Sequence, residues 1–356
     1  MTHRSLFLEL AARGLRMPIG TDLVLQEEND PERTRNDGAA MGRVMERAAR
    51  RWETPLALPL MDLRLEKLDL LALAGIPEAD AEAFHFDGPL DDAELNALCD
   101  PHAAQACAGS RARDQALSFI AGIPDLLPVG LTIGPYSLAS RLLADPITAT
   151  ALAGCGMTAG ESPEVRLLGQ CLRMAEAAVL RAVERQVACG AQAMMVCEPA
   201  ACTAFFSPRQ LRAGTEIFEH LAMGPNLRLG AALQEAGCDL IFHNCGTLID
   251  SMVEAFAHRL HPVLLSLGSS RTLWEDARLV PADVVLYGNL PSKSFYSESA
   301  MPLEEVERRS EELAARMRAC GHPFILGSEC DVLYVPESAA AISRKVDAML
   351  GRAVRA

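Results

Sequence analysis

The chain has no surplus of positive charge and no long hydrophobic run. Its 33 lysines and arginines are outnumbered by 47 acidic residues, so the formal net charge is −14. Such a chain is poorly suited to nucleic acid or an anionic membrane surface, since both are negatively charged themselves. No apolar stretch has the roughly 20 residues of a membrane span, and the first segment, with Glu9 and Arg13, is unlike a signal peptide. We therefore expect a cytoplasmic protein that binds neither nucleic acid nor membrane.

Several motifs that would identify a function are also missing. None of the 11 cysteines forms a Cys-x-x-Cys pair, and their odd number and irregular spacing suit reduced thiols better than a disulfide framework. No strand candidate is followed by Gly-x-Gly-x-x-Gly, and no Gly-x-x-x-x-Gly-Lys-Ser/Thr occurs. These absences argue against a dinucleotide-binding sheet and a phosphate-binding loop.

Short apolar runs alternate with longer segments of helical periodicity, which predicts an α/β fold with a parallel sheet. The strand candidates are residues 54–62, 127–133, 193–198, 238–242, 262–267, 283–287 and 323–327. An eighth could lie at residues 83–86. We expect a (β/α)8 TIM barrel over residues 51–356, preceded by a helical extension over residues 1–50. An open doubly wound sheet is the alternative.

The most informative feature follows the apolar run at residues 238–242. His243 and Cys245 are two positions apart, and strand residues two apart point to the same face. Cys330 follows another strand candidate, and in a barrel the C-terminal ends of the strands share one rim. One histidine with two thiolates suits tetrahedral zinc with one open position, as in catalytic zinc sites. A packed histidine and two inert core thiols are the alternative interpretation.

Four further residues end strand candidates or follow them. Glu198 could be a fourth metal ligand displaced by substrate, a general base, or a neighbour of a helix cap. Asp62 could orient substrate or a ligand histidine, or cap a loop. Tyr136 and Asn289 could donate hydrogen bonds to substrate or serve in turns. Alternation along its strand puts Cys197 opposite Glu198, pointing into the helical layer.

The order of these pieces resembles the uroporphyrinogen decarboxylase superfamily, and within it the zinc-dependent corrinoid methyltransferases of the methylcobamide:coenzyme M methyltransferase type. The resemblance runs from about residue 59 to residue 350. The matching pieces are Gly134-Pro135-Tyr136, Glu198-Pro199, His243-Asn244-Cys245-Gly246, Gly288-Asn289-Leu290 and Gly327-Ser328-Glu329-Cys330. The His-x-Cys pair with a late Cys is specific to the methyltransferase branch.

The chain departs from the decarboxylases near its N-terminus. They carry an Arg-Gln-Ala-Gly-Arg-type segment that holds substrate carboxylates, whereas this chain has Pro18-Ile19-Gly20-Thr21-Asp22. The family's Gly-Asn-Leu-Asp-Pro also becomes Gly288-Asn289-Leu290-Pro291-Ser292. Decarboxylation of a porphyrinogen is therefore disfavoured, and an unusual substrate pocket is expected.

The resemblance implies a zinc-dependent methyltransferase with Zn²⁺ on His243, Cys245 and Cys330. It would move a methyl group between a corrinoid and a zinc-activated substrate such as a thiol, or from a methylated donor to Co(I). No histidine stands in the cobalt-binding setting Asp-x-His-x-x-Gly, so the corrinoid is expected as a co-substrate on a partner protein. A decarboxylase-type lyase and a non-catalytic barrel that binds a tetrapyrrole or corrinoid are the alternatives.

Overall fold

The computed structural model describes residues 3–352 and contains a curled parallel sheet surrounded by helices. Its seven strands pair in chain order, and every pairing is parallel. They are β1 Leu56–Ala57, β2 Leu127–Ile133, β3 Ala193–Cys197, β4 Asp239–Asn244, β5 Leu264–Leu267, β6 Val285–Leu290 and β7 Phe324–Ser328. Nearly all strand residues are buried, as expected for a parallel sheet covered by helices. The α/β prediction is confirmed.

Seventeen α-helices lie within the described residues, and each of the seven strands is followed by at least one of them. They are α1 Arg4–Ala12, α2 Thr21–Leu25, α3 Pro31–Arg35, α4 Gly38–Arg51, α5 Leu65–Leu73, α6 Glu78–Ala81, α7 Asp92–Leu98, α8 Ala108–Ala121, α9 Pro135–Ser140, α10 Pro146–Gly154, α11 Pro163–Ala188, α12 Pro208–Arg212, α13 Gly224–Glu235, α14 Asp250–Ala255, α15 Leu273–Asp276, α16 Leu303–Cys320 and α17 Ala339–Met349. No helix in residues 3–352 is both long and apolar enough to cross a membrane.

Local sequence explains where the longest helix, α11, begins and where the second longest, α16, ends. The Ser162 side chain accepts a hydrogen bond from the Val165 amide at the start of α11, and Pro163 occupies its first position. Helix α16 ends at Gly321, whose φ of 71° is a left-handed conformation that glycine adopts without strain. The predicted helical segments are therefore present.

The eighth strand suggested at residues 83–86 is not formed. Phe86 makes only an isolated bridge to Leu143, so no ladder of hydrogen bonds joins this segment to the sheet, and the rings of Phe84 and Phe86 pack edge to face with centroids 5.2 Å apart. The first candidate, residues 54–62, shortens to the two residues of β1. The described residues therefore show seven strands rather than the eight of a complete barrel.

Part of the N-terminal region lies beside β7 instead. Arg16 and Ile19 form isolated parallel bridges to Leu326 and Asp331. On the other side, the Thr21 hydroxyl donates to the carbonyl of Leu58, next to β1, at 2.8 Å. The segment at residues 16–21 thus connects the two ends of the sheet. The proposed boundary at residue 50 stays a prediction, and residues 1–2 and 353–356 lie outside the described part.

Candidate metal centre

His243, Cys245 and Cys330 lie together at the C-terminal edge of the sheet. His243 belongs to β4, Cys245 directly follows that strand, and Cys330 lies two residues beyond β7. One ligand atom from each lies within 4.8 Å of the others. His243 is only 1% exposed, whereas the two cysteines are half-buried. The structure therefore brings together the three residues that the sequence predicted as ligands, and we call them the metal cluster.

The His243 imidazole is held from one side and has no partner on the other. Its Nδ1 lies 2.8 Å from the hydroxyl of Ser266, the residue opposite it in β5. Its Nε2 is buried and has no hydrogen-bond partner among the described residues. Leaving such an atom unpaired costs about 1–3 kcal/mol, so it indicates a ligand. Ser266 was not singled out from the sequence, although it lies in a strand candidate.

The two thiols of the metal cluster have opposite pKa shifts. A hydrogen bond from the Cys330 thiol lowers the pKa of Cys245, and His243 and Lys293 act in the same direction. The same hydrogen bond raises the pKa of Cys330, and burial adds to the effect. Two nearby side chains were missed in the sequence: the Lys293 ammonium, 3.8 Å from the Cys245 sulfur, and the Met61 thioether, 3.8 Å from the Cys330 sulfur.

The donor set of the metal cluster fits a thiophilic ion. It offers one imidazole nitrogen and two sulfurs, which suits zinc, whereas calcium and magnesium require oxygen ligands. With Nε2 as the ligand atom, Nδ1–H would donate to the Ser266 hydroxyl and fix the imidazole orientation, as outer hydrogen bonds do in zinc sites. The unpartnered Nε2 is the observation that favours a metal over simple packing.

Glu198 is not part of the metal cluster. Its Oε1 accepts a hydrogen bond from the Ser137 amide at 2.6 Å, and its Oε2 accepts from the Tyr136 amide at 3.3 Å and the Asn226 side chain at 2.8 Å. Burial raises the pKa of Glu198, although these hydrogen bonds oppose the shift. The carboxylate therefore binds the start of α9 to α13, and this arrangement speaks against a fourth metal ligand. We call these residues the Glu198 pocket.

Strand register explains why Glu198 lies there. Cys197 pairs with His243 across β3 and β4, and paired residues of neighbouring strands point to the same side. Cys197 therefore faces the inside of the curled sheet, where burial and the nearby Cys245 raise its pKa well above the usual value. Glu198, one residue later, points into the helical layer. Alternation along the strand had placed Cys197 toward the helical layer and Glu198 on the opposite face. Both directions were wrong.

The other three predicted site residues make local contacts. Asp62 forms an ion pair with Arg64 at 2.6 Å; burial alone would raise its pKa, but Arg64 outweighs burial and lowers it. The Tyr136 hydroxyl lies 2.7 Å from that of Thr150, and burial raises its pKa above the usual range. Asn289 donates to the carbonyls of Gly268 and Arg271, both at 2.8 Å. None of the three belongs to the metal cluster.

Comparison with known proteins gives the family. The profile of the uroporphyrinogen decarboxylase (URO-D) family matches residues 123–348, more than half of the chain. The chain belongs to this family. Among solved structures, a methyltransferase from Methanosarcina mazei is similar with a TM-score of 0.64 at 14% sequence identity, over 98% of this chain and 99% of that chain. At this identity the likeness shows a shared fold alone. No curated protein matches the sequence.

Proposed function

We propose that this member of the URO-D family is a zinc-dependent methyltransferase that moves a methyl group between a corrinoid and a thiol-type substrate. The observation that carries the proposal is the metal cluster, whose ligand atoms lie within 4.8 Å of one another. The unpartnered Nε2 of His243 points to an ion rather than to a packed core. The similar fold of a methyltransferase from Methanosarcina mazei is consistent with this activity.

Three side chains would hold the ion and leave one position for substrate. Zinc bound there would let a substrate thiol lose its proton and act as a nucleophile at neutral pH. Two thiolates and a neutral imidazole balance the two positive charges of the ion. Ser266 keeps the His243 ring in place, and β4 and β7 fix the positions of the ligands. The same residues would serve transfer of the methyl group to a thiol, or its transfer from a methylated donor to Co(I).

Two features disfavour decarboxylation of a porphyrinogen. The segment at residues 18–22 has no arginine, and it lies beside β7, where Ile19 bridges to Asp331. The segment therefore contributes an acidic side chain, Asp22, and no cation at a place where a substrate with several carboxylates would need cations to bind.

The corrinoid is proposed to arrive on a partner protein. The sequence has no Asp-x-His-x-x-Gly motif, and the parallel sheet and its helices account for most of the chain. The metal cluster lies at the C-terminal edge of the sheet, and its two cysteines are partly exposed. A partner could therefore bring a methyl-corrinoid close to the substrate sulfur.

The test is metal analysis followed by a transfer assay. Protein purified without oxygen should contain one zinc per chain, and it should demethylate free methylcobalamin when thiols are added. Absence of zinc after reconstitution would contradict the proposal. Carbon dioxide release from a porphyrinogen would favour a lyase, and a chromophore that copurifies without turnover would favour a binding protein.

A further inference from the structure

Lys293 occupies an unusual position for a lysine in this chain. The protein has three lysines and 30 arginines. The other two are anchored on main-chain oxygens, Lys67 on Glu82 and Lys345 on Phe295. Within residues 3–352, the Lys293 ammonium has no carboxylate within 4 Å, and the Cys245 sulfur, at 3.8 Å, is the one acceptor it reaches. This contact therefore involves the metal cluster directly.

The turn that carries Lys293 is held in place at both ends. It follows β6 as a short 3-10 helix, Ser292–Ser294. The Ser292 side chain is buried and lies 3.4 Å from the carbonyl of Cys330. Beyond the turn, the fully buried Lys345 donates to the carbonyls of Phe295 and Ser297 at 2.9 and 3.2 Å. The position of Lys293 beside Cys245 is thus built into the fold.

A methyltransferase with thiolate ligands must keep those ligands from taking the methyl group. In transfer to sulfur, a sulfur lone pair forms the new S–C bond while the bond from the methyl carbon to cobalt breaks and leaves its electron pair on cobalt. If Cys245 were that sulfur, it would become a neutral thioether and the metal cluster would lose a negative charge. The substrate must therefore be the better nucleophile.

We propose that Lys293 is a positioning residue that protects Cys245 from methylation, an inference that rests on the proposed function. A hydrogen bond from an ammonium draws electron density from a thiolate, and the nucleophilicity of a thiolate falls with its basicity. Lys293 donates its hydrogen bond to Cys245, whereas it acts on Cys330 through its charge alone, and the nearest side-chain contact of the Cys330 sulfur is the Met61 thioether. The protection therefore acts chiefly on Cys245.

The experiment measures methylation of each cysteine in zinc-loaded protein by iodomethane, using peptide mass spectrometry. Lys293→Met should speed methylation of Cys245 about tenfold, because the sulfur loses its hydrogen bond from an ammonium. Methylation of Cys330 should change by a clearly smaller factor, since Cys330 accepts no hydrogen bond from the ammonium. Lys293→Arg should restore the slow rate at Cys245. Arg309→Met, which removes an exposed charge from α16, is the matched control and should change neither rate.

Zinc content, measured on the same samples, separates the two proposals. Wild-type protein that binds no zinc would contradict the proposed function itself. Zinc-loaded Lys293→Met with an unchanged rate at Cys245 would overturn only the role of Lys293, and so would equal acceleration at Cys330. Lys293→Gln is a second variant that keeps a neutral donor and should give an intermediate rate. Loss of zinc from both neutral variants would make Lys293 a structural residue and overturn its protective role.

Discussion

The metal cluster and the Glu198 pocket lie at the ends of neighbouring strands, yet their polar atoms are used in opposite ways. In the Glu198 pocket, the carboxylate accepts three hydrogen bonds from Ser137, Tyr136 and Asn226. In the metal cluster, a buried imidazole nitrogen has no partner. Both groups looked like site residues in the sequence because both end strands. The carboxylate of Glu198 is thus fully used in holding helices together, whereas the unpartnered nitrogen of His243 lies within 4.8 Å of two sulfurs that could share an ion with it.

The largest effect is expected from removing a ligand of the metal cluster. Cys330→Ser should lower zinc affinity more than about a hundredfold, because a neutral hydroxyl replaces one of two thiolates. Metal analysis after dialysis against a weak chelator measures the loss. Cys320→Ser, an exposed cysteine outside the metal cluster, is the control and should keep its zinc. Full occupancy with normal metal–sulfur distances in Cys330→Ser would remove that residue from the site.

A substitution in the Glu198 pocket should lower the stability of the protein and leave its metal content unchanged. Glu198→Gln places an amide group against three donors, so the free energy of unfolding should fall by about 3 kcal/mol. Urea denaturation measures the loss, with Glu235→Gln on the exposed end of α13 as the control. Zinc content should stay at the wild-type level. A variant that folds normally but loses zinc would return Glu198 to the role of a metal ligand.

A smaller effect is expected at the outer contact of the metal cluster. Ser266→Ala removes the oxygen that accepts the hydrogen bond from Nδ1 of His243, which should weaken zinc binding by roughly 10–100-fold. Competition with a chromophoric chelator gives the affinity. Ser328→Ala is the matched control, since this buried serine of β7 accepts a hydrogen bond from the Ile19 amide. Similar zinc affinities for both variants would show that the Ser266 contact does not support the ligand.

The smallest effect is expected at Tyr136, which the sequence had suggested for substrate binding. Its hydroxyl contacts Thr150, and its ring packs against Phe205 and Phe206. Tyr136→Phe should therefore lower the free energy of unfolding by about 1 kcal/mol. The KM for the thiol should not change. A severalfold rise in KM with unchanged stability would instead support contact with substrate.

The sequence predicted the sheet better than the directions of side chains. The β2 candidate, residues 127–133, matches the observed strand, because a short apolar run shows where a buried strand lies. The face on which Glu198 lies depends on the pairing of Cys197 with His243, and a single sequence does not contain that register. A shift of one residue turns every side chain of a strand to the other face. The predicted faces of Glu198 and Cys197 were therefore interchanged.

The ligands of the metal cluster could be predicted from the sequence, but their neighbours could not, for a similar reason. His243 and Cys245 are two residues apart, so strand geometry alone puts them together. Lys293 comes to Cys245 from the turn after β6, and Ser266 reaches His243 from β5. No fixed spacing in the sequence connects these residues to the ligands. Their roles follow from the order and register of the strands.

X-ray absorption at the zinc edge of the reconstituted wild-type protein shows directly which atoms bind the metal. We expect two sulfurs at about 2.3 Å and one nitrogen at about 2.0–2.1 Å, with one further light atom from solvent. Addition of a thiol substrate should change this set to three sulfurs. A spectrum with six oxygen or nitrogen neighbours and no sulfur would contradict zinc binding by Cys245 and Cys330, and with it the proposed methyl transfer.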